Sequence, residues 1–284
     1  MVYDEKVMEP SSTPTLQAPT YASGMIYNDF MGRWSKRLAY AFLDILPLDE
    51  GTFILDVGCG TGSLAQAIAN SVNVAKIVGV DPSAKLLKHA ERVNIDKRIS
   101  YMEGYGQQLP CKDEQFDTVL ALLALHNVPN PSDAVEEMKR VAKSGALLAA
   151  CEWDFAEGME MLTILWDTLV ELDANLAPLH SKHNKLGGER DLPELWQSHG
   201  LVDVTHFTIN VPLEFESFDD YFVPLMMGAA TASKSIAAFK QDKKDLLIRL
   251  LKERFLGERS DGPFTLNARA FAVVGSVGRG KTDD

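Results

Sequence analysis

Cysteine is scarce in this 284-residue chain: Cys59, Cys111 and Cys151 stand far apart with no Cys-x-x-Cys pair. That excludes a disulfide-stapled secreted scaffold and a thiolate zinc cluster, and a reducing, cytoplasmic setting is expected. Long apolar runs are missing as well. Val119 to Leu125 is seven residues, whereas a bilayer span needs about 20. The start, Met1 to Lys6, shows no basic stretch leading into an apolar one, so neither export nor a membrane span is expected. Positive charge is in deficit, with 28 Lys and Arg against 40 Asp and Glu and a net charge of −12. A chain of that sign is ill suited to phosphate backbones or anionic lipid, so no nucleic-acid partner is expected. What remains is a folded chain, 46% apolar and 24% charged, long enough for one enlarged domain or a core with additions.

Residues 1–24 carry Pro10, Pro14 and Pro19 among Ser, Thr and Ala without periodicity and read as a flexible lead-in. A helix is predicted over 25–47, where Trp34, Leu38, Phe42 and Ile45 fall at helical spacing before Pro47. Alternating units follow. Strands are expected at 52–57, 76–80, 98–102, 116–122 and 146–151, and helices at 62–72 and 83–93. A further helix, opened by Asn130-Pro131, is expected to put Val135, Met138 and Ala142 on one face. Such alternation signals an α/β fold with a parallel sheet covered on both faces. Beyond Trp153 come a helix through Leu162–Leu172, a Gly187-Gly188 loop, a helix over 191–199, and two late strands at 202–211 and 264–274. Residues 156–190 and 213–262 read as insertions, the second a helical cap rich in aromatics and Met, and 276–284 as a flexible tail. The catalytic domain is thereby set at 25–275.

The stretch Ile54-Leu55-Asp56-Val57-Gly58-Cys59-Gly60-Thr61-Gly62 is the most informative. A strand runs through Gly-x-Gly-x-Gly into a helix, exposing backbone amides where a ligand can approach without Cβ interference. Past a second strand, Asp81-Pro82 puts a carboxylate where a ribose with two free hydroxyls would lie. A dinucleotide site normally has an apolar residue where Asp56 stands, because pyrophosphate must come close. A carboxylate there suits an ammonium, as in the methionine half of S-adenosylmethionine. A nicotinamide dehydrogenase stays formally open.

On these residues the chain resembles class I S-adenosylmethionine-dependent methyltransferases, in the small-molecule branch that includes ubiquinone and menaquinone biosynthesis. The likeness continues through Glu103-Gly104-Tyr105-Gly106-Gln107-Gln108-Leu109-Pro110, Phe116-Asp117-Thr118-Val119, and Met31-Gly32-Arg33-Trp34-Ser35. It implies a Rossmann-like, mostly parallel seven-stranded sheet in the order 3-2-1-4-5-7-6 with the seventh strand antiparallel. It also implies S-adenosyl-L-methionine as cofactor and S-adenosyl-L-homocysteine as product. Cofactor contacts are expected from Asp56, Gly58, Cys59, Gly60, Gly62, Asp81, Pro82, Tyr105, Gly106, Gln107, Leu122 and Arg33. One departure stands out: the family's adenine-binding Asp is replaced by Tyr105, so backbone around Gly106, the Gln107 amide, or stacking on Tyr105 must serve.

Methyl transfer is an in-line displacement that needs positioning first and a base only for some acceptors. His126, just past the fourth strand, is the candidate base; its plainer role is packing beside the cofactor. Acceptor contacts are expected from Tyr27, Phe30, Trp34, Trp153, Asp154, Tyr221, Phe222 and Met226, several of which would serve equally as core. No metal is expected, since His180 and His183 lack further ligands. Gly275 to Thr282 spells a P-loop, but no helix follows to complete a phosphate cradle. The expected function is methylation of a small organic acceptor. The alternatives are a non-methylating reaction assisted by the bound sulfonium, or a non-catalytic cofactor-binding subunit. The acceptor, the atom methylated and the oligomeric state are not legible.

Overall fold

The computed structural model describes residues 31–180, 186–229 and 232–279. The lead-in expected over 1–24, the candidates Tyr27 and Phe30, His183 and the tail from 280 lie outside them. Helix α1 (Arg33–Leu43) precedes strand β1 (Phe53–Val57), α2 (Ser63–Ser71), β2 (Lys76–Asp81), α3 (Ala84–Val93), β3 (Ile99–Glu103) and β4 (Phe116–Leu122). Next come α4 (Pro131–Val141), β5 (Ala142–Trp153), α5 (Glu160–Leu172), the short α6 (Ala177–His180), α7 (Asp191–Ser198) and β6 (Val202–Phe215). The chain ends with α8 (Phe218–Pro224), a π-turn over Leu225–Ala229, α9 (Ala232–Ala238), α10 (Gln241–Leu256) and β7 (Phe264–Ser276).

The seven strands form one sheet in the order β3-β2-β1-β4-β5-β7-β6. Pairing is parallel from β3 to β5, and β7 runs antiparallel to both neighbours, as the family likeness implies. The central strands are apolar runs because helices cover both their faces. Side chains alternate accordingly. Ile54, Leu120, Leu122, Ala149, Cys151 and Trp153 share one core with α1, α2, α5 and α8–α10, while Leu55, Val57, Val119, Ala121, Leu148 and Ala150 share the other with α4 and α7.

Several boundaries differ from expectation. Ala142 is not on the α4 face; it pairs with Phe116 and opens β5, because a strand in register with β4 keeps its backbone bonded where another helical turn would not. Strands β6 and β7 also run longer, pairing from Val202 with Ser276 to Phe215 with Phe264. The extra length carries them past Trp153, which pairs with Ala270, to the carboxyl edge of the parallel strands. The insertion 213–262 therefore sits at that edge. It is held as core: Phe215 stacks on Phe264 at 5.0 Å and Phe255 stacks on Phe264 at 5.4 Å. Tyr221 is fully buried and donates its hydroxyl to the Met161 carbonyl of α5 at 2.9 Å.

Tyr221→Phe removes that bond and leaves the ring in place. It should cost about 1 kcal/mol and lower the melting temperature by about 2–4 °C, while binding of ligands at the glycine turn is unchanged. A thermal melt alongside calorimetry checks both; a large loss of ligand affinity at unchanged stability would put Tyr221 in the site instead.

Candidate functional site

Between β1 and α2 the chain makes a turn that only glycine permits. Gly58 has φ +73°, and a Cβ there would collide with the Cβ of Ala124. Gly62, at φ +83°, caps α2 directly over the Tyr101 ring. The turn is tied to β2 by Gly58 N–H and Cys59 N–H, both donating to the Val80 carbonyl at 2.7 and 3.1 Å. A cavity opens above it, lined by residues 56–61, 81–83, 105–107 and 122–125, with Gly32 and Ser35 of α1 on one side and Asn127 to Pro129 on another. Of the expected cofactor contacts, Asp56, Gly58, Cys59, Gly60, Asp81, Pro82, Tyr105, Gly106, Gln107 and Leu122 line this cavity; Gly62 and Arg33 do not.

Asp81 does more than face the cavity. Its Oδ2 accepts from Gly60 N–H at 2.9 Å and its Oδ1 from Ser83 N–H at 2.8 Å, so one carboxylate fixes both the glycine turn and the start of α3. Burial pushes its pKa up, and the two N–H groups pull it back. Each oxygen keeps a lone pair for a hydroxyl. Asp56, on the adjacent strand, is almost wholly buried, and its Oδ2 has no partner. Burial raises its pKa to about 7 against the lowering effect of the Ala65 N–H, with Asp81 adding to the rise. An orphaned buried carboxylate oxygen costs free energy unless a donor, best a cation, meets it. The two acids thus fit a ligand with vicinal hydroxyls and an ammonium, and the Cβ-free turn between them fits its body.

Around the cavity, three features were not legible as site features. Leu123, just past β4, has φ +56°, a conformation costly for a non-glycine residue. Asn127 lines the cavity from the 3-10 turn Leu125–Asn127. The third is Glu152, 1% exposed. Its Oε1 accepts from Leu125 N–H at 2.7 Å, and its Oε2 takes the Nδ1–H of His126 at 2.6 Å. This bond fixes the His126 ring, which packs edge-on to Phe155 at 5.5 Å. Burial lowers the His126 pKa, yet the charge of Glu152 and its hydrogen bond outweigh that, and the net direction is up. A glutamate inside the apolar run Ala149-Ala150-Cys151-Glu152-Trp153 was the available signal.

The remaining candidates are spread. Trp153 and Trp34 are 1% exposed, each with an unpartnered indole N–H. Asp154 is bound from all sides: Arg269 Nε and Nη2 donate to its Oδ2 at 2.8 and 2.5 Å, and Ala156 and Glu157 N–H to its Oδ1 at 3.0 Å each. Arg33 pairs with Asp220. Tyr221 and Phe222 are buried within the insertion, whereas Met226 is 41% exposed. Among the described residues there is no cluster able to hold a metal ion and no helix long and apolar enough to cross a membrane.

The sequence pattern described as "Methyltransferase domain" matches residues 55–150. Demethylmenaquinone methyltransferase of Lactobacillus johnsonii is 30% identical over 151 residues, covering 51% of this chain and 60% of that protein. The 27-O-demethylrifamycin SV methyltransferase of Amycolatopsis mediterranei is 32% identical over 119 residues, covering 40% of this chain and 43% of that one. The chain thus spans about half the length of these curated relatives. A crystal structure of a SAM-dependent methyltransferase from Aquifex aeolicus superposes with a TM-score of 0.54 at 18% identity, over 91% of this chain and all of that one, and so shares the fold. With Asp56, the glycine turn and Asp81 on one cavity, the chain carries over residues 55–150 the pattern of a methyltransferase domain and shares the fold of S-adenosylmethionine-dependent methyltransferases.

Proposed function

We propose that the protein methylates a small organic acceptor, with S-adenosylhomocysteine as the second product. The observation that carries this reading is the placement of Asp56 and Asp81 on either side of the glycine turn, one with a free buried oxygen and one already anchored. When bound, S-adenosylmethionine supplies an electrophilic methyl group on a sulfonium. Asp56 takes the ammonium, Asp81 the ribose hydroxyls, and Tyr105, Gly106 and Gln107 the adenine. Leu122 to Leu125, which line the same cavity, would supply its apolar floor. His126, aligned by Glu152, receives the acceptor's proton at Nε2 as the nucleophile attacks; Glu152 is a positioning residue. The insertion 213–262 and α1 wall the acceptor side and keep water out. The deficit of positive charge and the three unpaired cysteines fit a small acceptor and a cytoplasmic setting.

Methyl-labelled S-adenosylmethionine offered with demethylmenaquinone, 27-O-demethylrifamycin SV and a panel of small phenols and acids should yield labelled product and S-adenosylhomocysteine. Asp81→Ala should weaken S-adenosylhomocysteine by about 1.5–3 kcal/mol through loss of hydrogen bonds to a charged group. Unchanged affinity, or binding of NAD in its place, would overturn the reading.

Asp56 makes cofactor affinity depend on pH. Its carboxyl titrates near 7 in the free protein, so below that value a proton must leave before the ammonium can pair. S-adenosylhomocysteine affinity should rise from pH 6 to pH 8, and Asp56→Asn should bind weakly and without that slope. Stability of the free protein should run the other way. A carboxyl whose folded pKa lies above its unfolded value favours the folded state at low pH, and that advantage is lost as pH rises from about 4 through about 7. Calorimetry and melts across pH check both signs.

His126 should titrate above the ordinary histidine range, and Glu152→Gln should move it down by removing the charge that holds the proton. NMR of the imidazole in the S-adenosylhomocysteine complex reads this directly. An unmoved titration in Glu152→Gln would dissolve the pair.

A further inference from the structure

Residues 104–115 join β3 to β4 with no helix or strand of their own, so each buried backbone group in them must find a partner elsewhere. Tyr105, Gly106 and Gln107, which line the cavity, sit at the tip of a tight turn closed by Gln108 N–H on the Tyr105 carbonyl at 3.0 Å. Its two ends meet: a Cβ on Gly104 would collide with the Pro110 ring. Gly104 N–H reaches back to the Asp81 carbonyl at 3.2 Å, which ties the near end to β2. The far end, at Leu109, is held by side chains instead.

Those side chains are Glu137 and Arg140, one turn apart on α4. Leu109 N–H donates to Glu137 Oε2 at 2.8 Å, and Arg140 Nη2 donates to the Leu109 carbonyl at 3.1 Å. Arg140 Nη1 adds the Cys111 carbonyl at 2.9 Å and Asp113 Oδ1 at 2.6 Å. The two residues also hold each other, Nε on Oε1 at 2.6 Å and Nη2 on Oε2 at 2.7 Å, the paired geometry in which a guanidinium grips a carboxylate most firmly. Leu109 thus has both backbone groups answered as a neighbouring strand would answer them, and its side chain is buried in the core that α4 shares. Helix α4 also stands close to the tip, for a Cβ on Gly106 would be in contact with Ala134 and Val128. Val128 belongs to the segment Asn127 to Pro129 that lines the cavity just before α4 begins at Pro131. One helix therefore positions both walls of the cavity at this end: the turn 105–107 through Glu137 and Arg140, and the segment 127–129 through its own first residue.

Resting on the methyltransferase reading above, which gives adenine to Tyr105, Gly106 and Gln107, we propose that Glu137 and Arg140 are positioning residues that hold this turn at the cavity and thereby set the cofactor's base specificity. Neither lines the cavity, so neither meets the base itself. Their effect passes through Leu109 to the backbone of the turn, whose N–H and carbonyl groups must stay in place to tell an amino group from a carbonyl oxygen on a purine. A turn released from the clamp would adjust to either base. The contacts of Asp81 and Asp56 lie on the other strands and do not depend on it.

Calorimetry on the full-length protein compares S-adenosylhomocysteine with S-inosylhomocysteine, in which a carbonyl oxygen replaces the adenine amino group. The wild type should prefer the adenine ligand by at least about ten-fold. Arg140→Lys keeps a charge but cannot bridge Glu137, Leu109 and Cys111 at once, and there the preference should fall to within about three-fold. Hydrogen exchange of the amides in 104–115 should quicken by about ten-fold or more in that variant, with 58–62 unchanged. Asp113→Asn alters a side chain that is 74% exposed and leaves the grip on Leu109 intact, so it should keep the wild-type preference. Where Arg140→Lys does not fold, Glu137→Gln, which loses the charge and keeps the shape, carries the same expectations. Equal binding of the two ligands by the wild type, an equal loss of both in the variant, or a preference that survives it overturns the proposal. So does unchanged exchange in 104–115, or a preference lost as fully in Asp113→Asn. If S-adenosylhomocysteine does not bind the wild type, the methyltransferase reading falls and base specificity with it, while exchange in 104–115 of the free protein still decides whether the pair holds the turn.

Discussion

The grip of Asp81 on two backbone amides is the contact on which the rest of the site hangs. Without a ligand, the glycine turn has little to hold it: three positive-φ glycines, the one buried side chain of Cys59, and two amides on Val80. Through Gly60 N–H and Ser83 N–H, Asp81 fixes the turn at one end and the first turn of α3 at the other. The cavity mouth then has a defined width before any cofactor arrives. Because the same oxygens keep lone pairs, a hydroxyl ligand would add bonds without dismantling the scaffold. Preorganisation of this kind lowers the ordering cost of binding.

Electrostatically the edge of the sheet is divided. On the β1 and β2 side, burial raises the cost of ionising both Asp56 and Asp81, and Asp81 adds to it at Asp56, a cost that a cationic ligand would relieve. On the β5 side the unpaired groups are donors, and the carboxylates are engaged: Glu152 by His126 and the Leu125 amide, Asp154 by Arg269, and Asp220 by Arg33. The boundary falls at Leu122 to Leu125, where β4 gives way to the strained Leu123. Charges held on the two sides of this uncharged strip would be weakly screened from one another.

How much of this was readable from residues alone follows from what each feature depends on. The glycine turn, Asp81 and the strand alternation are local, so spacing was enough for them, and strand order came with the family likeness. Glu152 was overlooked because its meaning is pairwise: a glutamate at the end of β5 is a solvated charge until β4 sets His126 beside it. Trp153, Tyr221 and Phe222 were ambiguous for the opposite reason. An aromatic stripe has the same pattern whether it lines a cavity or fills a core, and only the register carrying β6 and β7 past Trp153 puts Phe215 and Tyr221 in the packed base of the insertion. The ends of β5 and α4 were misjudged since Ala142 suits either element, and pairing with Phe116 decides it.

That register also accounts for the contact of the insertion with α1 while its aromatics are buried in the core. Strands that stopped level with Trp153 would leave α1 without a wall at the β5 side. Extended to Phe215 and Phe264, they bring Asp220, the second acid in the first turn of α8, within reach of Arg33. The ion pair between them is half-exposed, and a pair in that setting adds little to stability. Its consequence is orientational. Held by Asp220 and by two ring faces, the guanidinium cannot turn its remaining N–H groups toward solvent, so their lack of a partner is fixed by the fold. The core of the insertion thus acts on α1 indirectly, by fixing the orientation of the Arg33 guanidinium.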